Sequence, residues 1–425
     1  MLIALLFGSF ALCLILGVPV ALSLGLSSAT YILAAGLPLV VIPQKMYAGM
    51  DVFVLLCIPG FVLAGSLMNA GGITDQITRF SSALVGHIRG GLGLANVTGS
   101  MLFSGISGTA VADTASIGAV MIPGMQKAGY DAGFSAAITA ASSTVGPIIP
   151  PSVPMIIVGT LTGLSVGRLF LAGAVPGVLL GVAMMLTCYI LAVKRGYPFS
   201  PWPGLGELAR SFGGAFWALL MTFLVLYGIV GGLFTPTEAA VMSALYALLV
   251  GLLIYRGLTP RQVPRLVIDS AVGSASIILL VGFANVFGWI LTSERIPQAI
   301  AAALLELSSN KYVIILMINV LLLVVGTFME TIAALIILLP PLLVVAGQVG
   351  IDPVHFATFA VLNLMIGLST PPVGVCLFVA ANIARISLAT ITRAILPFLL
   401  CNLVVLLLVS YIPTLSLWLP GLFYD

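Results

Sequence analysis

Charged side chains are scarce in this sequence: Asp, Glu, Lys and Arg make up only 6% of its 425 residues, whereas 61% are hydrophobic. In a soluble domain about a quarter of the residues are charged. Apolar runs of about 20 residues, each long enough to cross a bilayer as a helix, recur from end to end. The composition therefore predicts an all-α polytopic membrane protein with no soluble domain and no nucleic-acid partner.

Residues that commonly carry enzyme chemistry are also few. The chain has two histidines, His87 and His355, and neither begins an HExxH motif. None of the lysines follows a glycine, which excludes a P-loop lysine. The five cysteines are not spaced as metal-binding pairs. We therefore expect neither an enzyme nor an ATP-driven pump.

The second half of the chain repeats the first weakly but in order. Matching residues lie 217 or 218 positions apart in the earlier part of each half and 221 apart in the later part. The pairs at the shorter spacing are Pro19 and Pro236, Asp51 and Asp269, Gly108-Thr109 and Gly326-Thr327, and Pro123 and Pro341. The pairs at 221 are Asp131 and Asp352, Gly146 and Gly367, Pro150-Pro151 and Pro371-Pro372, and Pro176 and Pro397. This order predicts two repeats, at 1–200 and 211–425.

Each repeat is predicted to contain five crossings and one re-entrant hairpin, at 87–127 and 311–346. The other spans fall near 2–18, 20–38, 52–71, 131–163, 168–193, 214–233, 236–255, 270–292, 353–386 and 393–415. An odd number of crossings inverts the second repeat. Eleven of the 15 Lys and Arg residues then lie on the cytoplasmic side, as the positive-inside rule requires. Two further segments, 39–50 and 258–270, are predicted to lie in the interface as helices or as ordinary loops.

Small polar residues mark the first hairpin, where the chain reads SGISGTAVADTAS from Ser104 to Ser116. The reversal is predicted at Ser104–Gly108, and Gly326–Thr331 takes the same place in the second repeat. Each hairpin is followed by a proline-rich break, at Ser143–Pro154 and Gly367–Gly374. Each break alone is also compatible with a structural kink, but discontinuous helices at paired positions of inverted repeats are typical of a transport site.

Carboxylates occur near both hairpins. Asp113 and Glu330 lie beyond the two tips, at a predicted membrane depth where a carboxylate is costly and therefore usually functional. The alternative is that these carboxylates lie in a water-filled vestibule or pair with a Lys or Arg, without a role in transport. Asp51 and Asp269 stand at predicted span starts and are interpreted as helix caps.

The chain resembles the large membrane subunit of tripartite ATP-independent periplasmic (TRAP) transporters over nearly its whole length. The resemblance is carried by SGISGTAVADTASIGAVMIPGM from Ser104, AASSTVGPIIPPSVPMI from Ala140 and GLSTPPVG from Gly367. It implies an elevator-type transporter of the bacterial inner membrane that couples Na⁺ to uptake of an organic acid. It also implies a separate small four-helix membrane subunit and a periplasmic substrate-binding protein as partners.

Site residues follow from the same resemblance. It implies one Na⁺ site formed by Ser104, Ser107, Gly146, Ile149 and Pro151, and a second formed by Gly326, Thr327, Gly367 and Thr370. It implies a substrate site near Asp113, Ser143, Thr144 and Asn363. The substrate stays open among C4-dicarboxylates, sialic acid and other sugar acids. The alternatives are a stand-alone Na⁺/dicarboxylate symporter, an intramembrane hydrolase and a passive channel.

Overall fold

The computed structural model describes residues 2–107, 109–199, 201–308 and 310–424, and this part of the chain contains helices but no strand. Ten helices precede the connection at residues 196–203. They are α1 (Leu2–Ile15), α2 (Val20–Ala34), α3 (Val41–Met50), α4 (Cys57–Ala70), α5 (Ile73–Val85), α6 (Gly91–Ser107), α7 (Ala110–Lys127), α8 (Ala132–Ser142), α9 (Val153–Thr162) and α10 (Val166–Arg195).

Ten more helices follow the connection within the described residues. They are α11 (Gly204–Val230), α12 (Pro236–Leu249), α13 (Val263–Ser293), α14 (Ile296–Leu307), α15 (Lys311–Phe328), α16 (Thr331–Gln348), α17 (Pro353–Gly367), α18 (Val375–Ala384), α19 (Leu388–Tyr411) and α20 (Thr414–Tyr424). A π-helical turn at Val250–Ile254 extends α12.

The predicted all-α polytopic membrane fold is confirmed. Eight helical segments in the described part of the chain are long and apolar enough to cross a bilayer. The count becomes nine if the bent pair formed by α8 and α9 is taken as one span. Side chains such as Phe223, Leu400 and Val404 are more than half exposed on the outside of this bundle, as lipid-facing residues are.

The hairpins show where the spacing between matching residues of the two halves changes from 218 to 221. Helices α7 and α16 both contain 18 residues and begin at Ala110 and Thr331, which are 221 positions apart. The residue before each helix is its N-cap, Thr109 in the first half and Glu330 in the second. The pairings of Gly108-Thr109 with Gly326-Thr327 and of Pro123 with Pro341 are therefore wrong. The three-residue insertion precedes the hairpins, because the 221 spacing already holds at them.

Helix packing between the halves is reciprocal. Helix α9 packs against α16, and its counterpart α18 packs against α7. In the same way α2 packs against α13, and α4 packs against α12. Contacts of this reciprocal kind are expected between two copies related by a two-fold axis. The boundaries at 1–200 and 211–425 stay a prediction.

Several local predictions are wrong. Asp51 follows α3 as its C-cap, and Asp269 lies inside α13 at 3.9 Å from Arg265, so neither caps a span start. The segment at 39–50 contains the separate helix α3, but the segment at 258–270 runs into α13 without a break.

Helices α5 and α14 follow the third crossing of each half and were not predicted. The buried residues of α5 include Ile73, Ile77 and Ser81, which recur every four positions, whereas Asp75 and Arg79 are exposed. This helical periodicity is visible in the sequence. The 13 residues of α5 are too few for a crossing, which is why a search for long apolar runs misses them.

Candidate functional site

The first proline-rich break interrupts one predicted span. Helix α8 ends at Ser142, a short 3₁₀ turn follows at Gly146–Ile148, and α9 resumes at Val153 after a bend of 42°. The four prolines of this stretch have no amide hydrogen, so carbonyl groups of the preceding turn lose their helical donors. The Ser152 hydroxyl caps α9 by accepting the amide of Met155 at 3.3 Å.

The second break lies between α17 and α18. It contains Thr370 and the Pro371-Pro372 pair, which is joined by a cis peptide bond, as is Pro150-Pro151. Gly374 has φ +57°, a left-handed conformation that favours glycine, and α18 starts directly after it. The two breaks therefore occupy corresponding places in the two halves.

In the second half the hairpin arm meets the break directly. A Cβ atom added to Gly367 would lie 2.6 Å from the carbonyl carbon of Gly326, so the two backbones touch. The Gly374 amide donates to the Thr327 carbonyl oxygen at 3.2 Å. The Thr370 hydroxyl donates to the Ile366 carbonyl at 2.8 Å. The structure thus brings Gly326 and Thr327 of the second predicted Na⁺ site against the break that contains Gly367 and Thr370.

The first half repeats this arrangement. Helix α6 packs against the turn at Gly146–Ile148. Ser104 and Ser107 belong to the end of α6, where the structure describes the backbone, and Gly108 lies outside the described residues. Gly146 and Pro151 are buried in the break, and Ile149 is half-buried. The hairpin arm α6 therefore lies beside the break, and its Ser100 is 2.9 Å from Ser142 at the end of α8.

The four residues implied for the substrate site are fully buried, with a relative exposure of 0% for each. Asp113 lies in the first turn of α7, next to the capping residue Thr109. The hydroxyl groups of Ser143 and Thr144 donate to carbonyls of α8, each at 2.7 Å, and keep lone pairs that can accept hydrogen bonds. Because α7 packs against α8, these three residues lie on neighbouring elements.

Asn363 is placed differently from the other three. Its Nδ2 donates to the carbonyl oxygen of Asn319 at 2.9 Å and to Asn319 Oδ1 at 2.8 Å. Its amide donor is therefore engaged with the hairpin arm α15. The role of Asn363 in substrate binding stays a prediction.

Glu330 differs from Asp113 in its surroundings. Its carboxylate accepts the amides of Ile332 at 2.9 Å and Ala333 at 3.2 Å, and its side chain is exposed. A carboxylate at a helix N-terminus is stabilised by free amides and by the helix dipole. Capping of α16 is enough to explain this residue. Asp113, by contrast, is the one carboxylate that is buried among the described residues.

Some residues beside the site were not predicted from the sequence. Asn96, Ser100, Thr139 and Ser142 are fully buried polar residues on α6 and α8. Their recurrence every three or four positions within apolar helices is a signal that could have found them. Helix α18 of the second half packs against α7 of the first half. No pattern in the sequence indicates this last contact, because it joins opposite halves of the chain.

The two regions in which a hairpin meets a break offer mainly oxygen atoms as possible ligands. Backbone carbonyls and hydroxyl groups prevail, and the described residues contain no group of three His, Cys, Asp or Glu that could hold a transition metal. Together with the polytopic fold, these paired discontinuous helices define a secondary transporter.

The comparisons with known proteins agree with this class. Residues 7–415 match the family model of the tripartite ATP-independent periplasmic transporter, DctM component. The chain therefore belongs to the TRAP transporter family, as the large permease component of a bacterial inner-membrane transporter.

Relatives with known substrates cover most of the chain. The sialic acid TRAP transporter large permease protein of Vibrio cholerae is 44% identical over 89% of this chain and 89% of its own length. The C4-dicarboxylate TRAP transporter large permease protein of Pseudomonas aeruginosa is 40% identical over 94% of both chains. The crystal structure of the Alcanivorax borkumensis YdaH transporter covers 90% of this chain and 88% of its own, with a TM-score of 0.61 at 16% identity. This last likeness concerns the fold alone.

Proposed function

We propose that this chain takes up an organic acid, of the C4-dicarboxylate, sialic acid or sugar-acid class, by coupling it to Na⁺ entry. The observation that carries the proposal is the apposition of hairpin and break in both halves, in which Gly326 touches Gly367 and α6 packs against Gly146–Ile148. Such junctions present carbonyl oxygens and helix ends inside a membrane protein, where irregular backbone is otherwise excluded.

Na⁺ is the proposed coupling ion because the residues at both junctions offer oxygen ligands. Ser104, Ser107, Gly146, Ile149 and Pro151 would hold one ion through hydroxyl and carbonyl groups. Gly326, Thr327, Gly367 and Thr370 would hold the other. Hard cations prefer such neutral oxygen donors to nitrogen or sulfur. The ion supplies the driving force for uptake, and these residues bind it and fix the hairpins against the breaks.

The substrate carboxylate is proposed to lie beside Asp113, Ser143 and Thr144, with Asn363 as a further predicted contact. The N-terminus of α7 lies in this region, because Asp113 belongs to its first turn, and it carries partial positive charge. Hydroxyl groups and helix ends would then bind the anion without a buried Arg or Lys. The described residues contain no fully buried Arg or Lys, which is consistent with this mode of binding.

Transport is proposed to follow an elevator mechanism. The reciprocal packing of α9 with α16 and of α18 with α7 ties both hairpins and both breaks into one unit. In two inverted repeats this unit carries a single site, which a rigid movement would expose to one side at a time. The small four-helix membrane subunit would brace the remaining helices, and the periplasmic binding protein would deliver the substrate.

The test is uptake into proteoliposomes that contain this chain with its small membrane subunit. Sialic acid and C4-dicarboxylates are supplied with or without the periplasmic binding protein, under an inward Na⁺ or K⁺ gradient. We expect uptake only with Na⁺ and with the binding protein. Uptake driven equally by K⁺ would contradict Na⁺ coupling, and full uptake without the binding protein would support the stand-alone symporter.

A further inference from the structure

Four buried polar residues connect the first hairpin arm to the helix before the first break. Asn96 Nδ2 donates to Thr139 Oγ1 at 2.6 Å, and Ser100 Oγ lies 2.9 Å from Ser142 Oγ. All four side chains have a relative exposure of 0%. We call Asn96, Ser100, Thr139 and Ser142 the polar ladder.

The hydrogen bonds of the polar ladder have a defined direction. The Thr139 hydroxyl donates to the Ser135 carbonyl at 2.8 Å, so its oxygen accepts from Asn96. The Ser142 hydroxyl donates to the Thr139 carbonyl at 3.2 Å, which leaves Ser100 as the donor to Ser142. Each contact thus has a donor from α6 and an acceptor from α8, and loss of one partner would leave a buried polar group unsatisfied.

The spacing of the polar ladder points towards the proposed Na⁺ site. Its residues are four positions apart on α6 and three apart on α8, so both helices advance in the same direction by about one turn. One helical turn beyond Ser100 and Ser142, α6 reaches Ser104 and the other chain segment reaches Gly146–Ile148. Helix α6 packs against this segment. The polar ladder therefore ends where the hairpin meets the break.

The second half has a counterpart at the same place. Asn363, which corresponds to Ser142 at the 221 spacing, donates to Asn319 on the hairpin arm α15. Beyond this pair lies the contact between Gly326 and Gly367. A polar connection between hairpin arm and broken helix thus occurs in both halves with different residues.

Apolar packing alone would hold α6 against α8 but would not fix how far one has slid along the other. In a membrane bundle apolar side chains gain little over lipid, whereas buried hydrogen bonds are directional and select one register. We propose that Asn96, Ser100, Thr139 and Ser142 are positioning residues that set the distance between the first hairpin and its break, and so the affinity for Na⁺. This inference rests on the proposed Na⁺-coupled function.

The test compares Thr139→Val with Thr139→Ser in the assembled transporter. Valine keeps the shape of threonine but removes Oγ1, which leaves the Asn96 amide only the Met125 sulfur at 3.7 Å. We expect the half-saturating Na⁺ concentration for uptake to rise about five- to tenfold in Thr139→Val, with a maximal rate within about twofold of the unchanged protein. Thr139→Ser keeps the acceptor and should stay within about twofold in both quantities.

A merely structural role would lower the amount of assembled protein or the maximal rate and would leave the half-saturating Na⁺ concentration unchanged. That result would overturn the proposal. Ser100→Ala, which removes the donor to Ser142 without altering α8, repeats the measurement if Thr139→Val does not assemble. We expect the same direction of change from it.

Hydrogen exchange of the α6 amides at 101–107 provides a readout that needs no coupling ion. Without Na⁺ we expect faster exchange there in Thr139→Val and an unchanged rate in Thr139→Ser. Unchanged exchange in Thr139→Val would overturn the role of the polar ladder. If uptake by the unchanged protein does not depend on Na⁺, the proposed function is wrong. The exchange rates would still show whether the polar ladder positions α6.

Discussion

The two halves of this transporter share a backbone plan but differ in chemistry. The first half surrounds its hairpin and break with buried hydroxyl, amide and carboxylate groups, including Asp113, Thr114 and Ser143. The second half builds its hairpin arms, α15 and α16, largely from Leu, Ile and Val. Its contact between tip and break is made by two glycine backbones instead. The first half thus relies on polar side chains at this place, whereas the second half combines the hydrogen bonds from Asn363 to Asn319 with a close contact of two glycine backbones.

Gly367→Ala should lower the uptake rate most, because it disrupts the backbone contact between hairpin and break in the second half. Its Cβ would lie 2.6 Å from the Gly326 carbonyl carbon, and no flexible side chain could yield there. A displacement of about 1 Å at a functional site can cost about 100-fold in rate, and we expect a loss of uptake of that order. Initial uptake rates in proteoliposomes measure it.

Gly347→Ala is the matched control, since an added Cβ there meets no atom within 4 Å. It should transport at the normal rate. If Gly367→Ala does the same, the close contact between hairpin and break is not required for transport.

The two carboxylates near the tips give the next comparison. Asp113→Asn should lower uptake by about tenfold or more, because a buried intramembrane carboxylate is expected to act in transport. Glu330→Gln should stay within about twofold, because the Gln oxygen can still cap α16. Uptake with saturating Na⁺ and substrate is the measurement. Equal losses in both variants would give Glu330 a functional role as well and remove this difference between the halves.

The side of the membrane from which a reagent reaches each hairpin tip gives a third comparison between the halves. In inverted repeats, Ser107→Cys should react with a membrane-impermeant thiol reagent mainly from the cytoplasm and Thr327→Cys mainly from the periplasm. The labelling of both should change with Na⁺ and substrate. The measurement uses the transporter with its native cysteines replaced, in right-side-out and inverted vesicles. Equal labelling from one side in every condition would contradict the elevator and favour a fixed pore.

Much of the fold could be predicted from the sequence because long apolar runs and prolines are local signals. The breaks at Gly146–Ile148 and Gly367–Gly374 lie where the prolines place them. Helices α5 and α14 were missed because their signal is amphipathic periodicity and not length. The family resemblance places Gly326 and Gly367 in one site, and the residues of the polar ladder recur at helical spacing. Their contacts between helices could not be predicted, because neighbours on two different helices are set by packing across the chain.

Helix caps give the smallest expected difference between the halves. Glu330 accepts two amides of α16, at 2.9 and 3.2 Å, whereas the Thr109 hydroxyl accepts the Ala112 amide at 3.4 Å, which is long for a hydrogen bond. Removal of a good cap costs about 1 kcal/mol, and a weak one costs about half of that. We therefore expect Glu330→Ala to lower the free energy of unfolding in detergent by about 1 kcal/mol and Thr109→Ala by about 0.5 kcal/mol. Titration with a denaturing detergent measures both, with Ser276→Ala, an exposed site on α13, as the control. A larger loss in Thr109→Ala would mean that Thr109 does more than cap α7, and the first hairpin would then depend on its polar residues for folding as well as for transport.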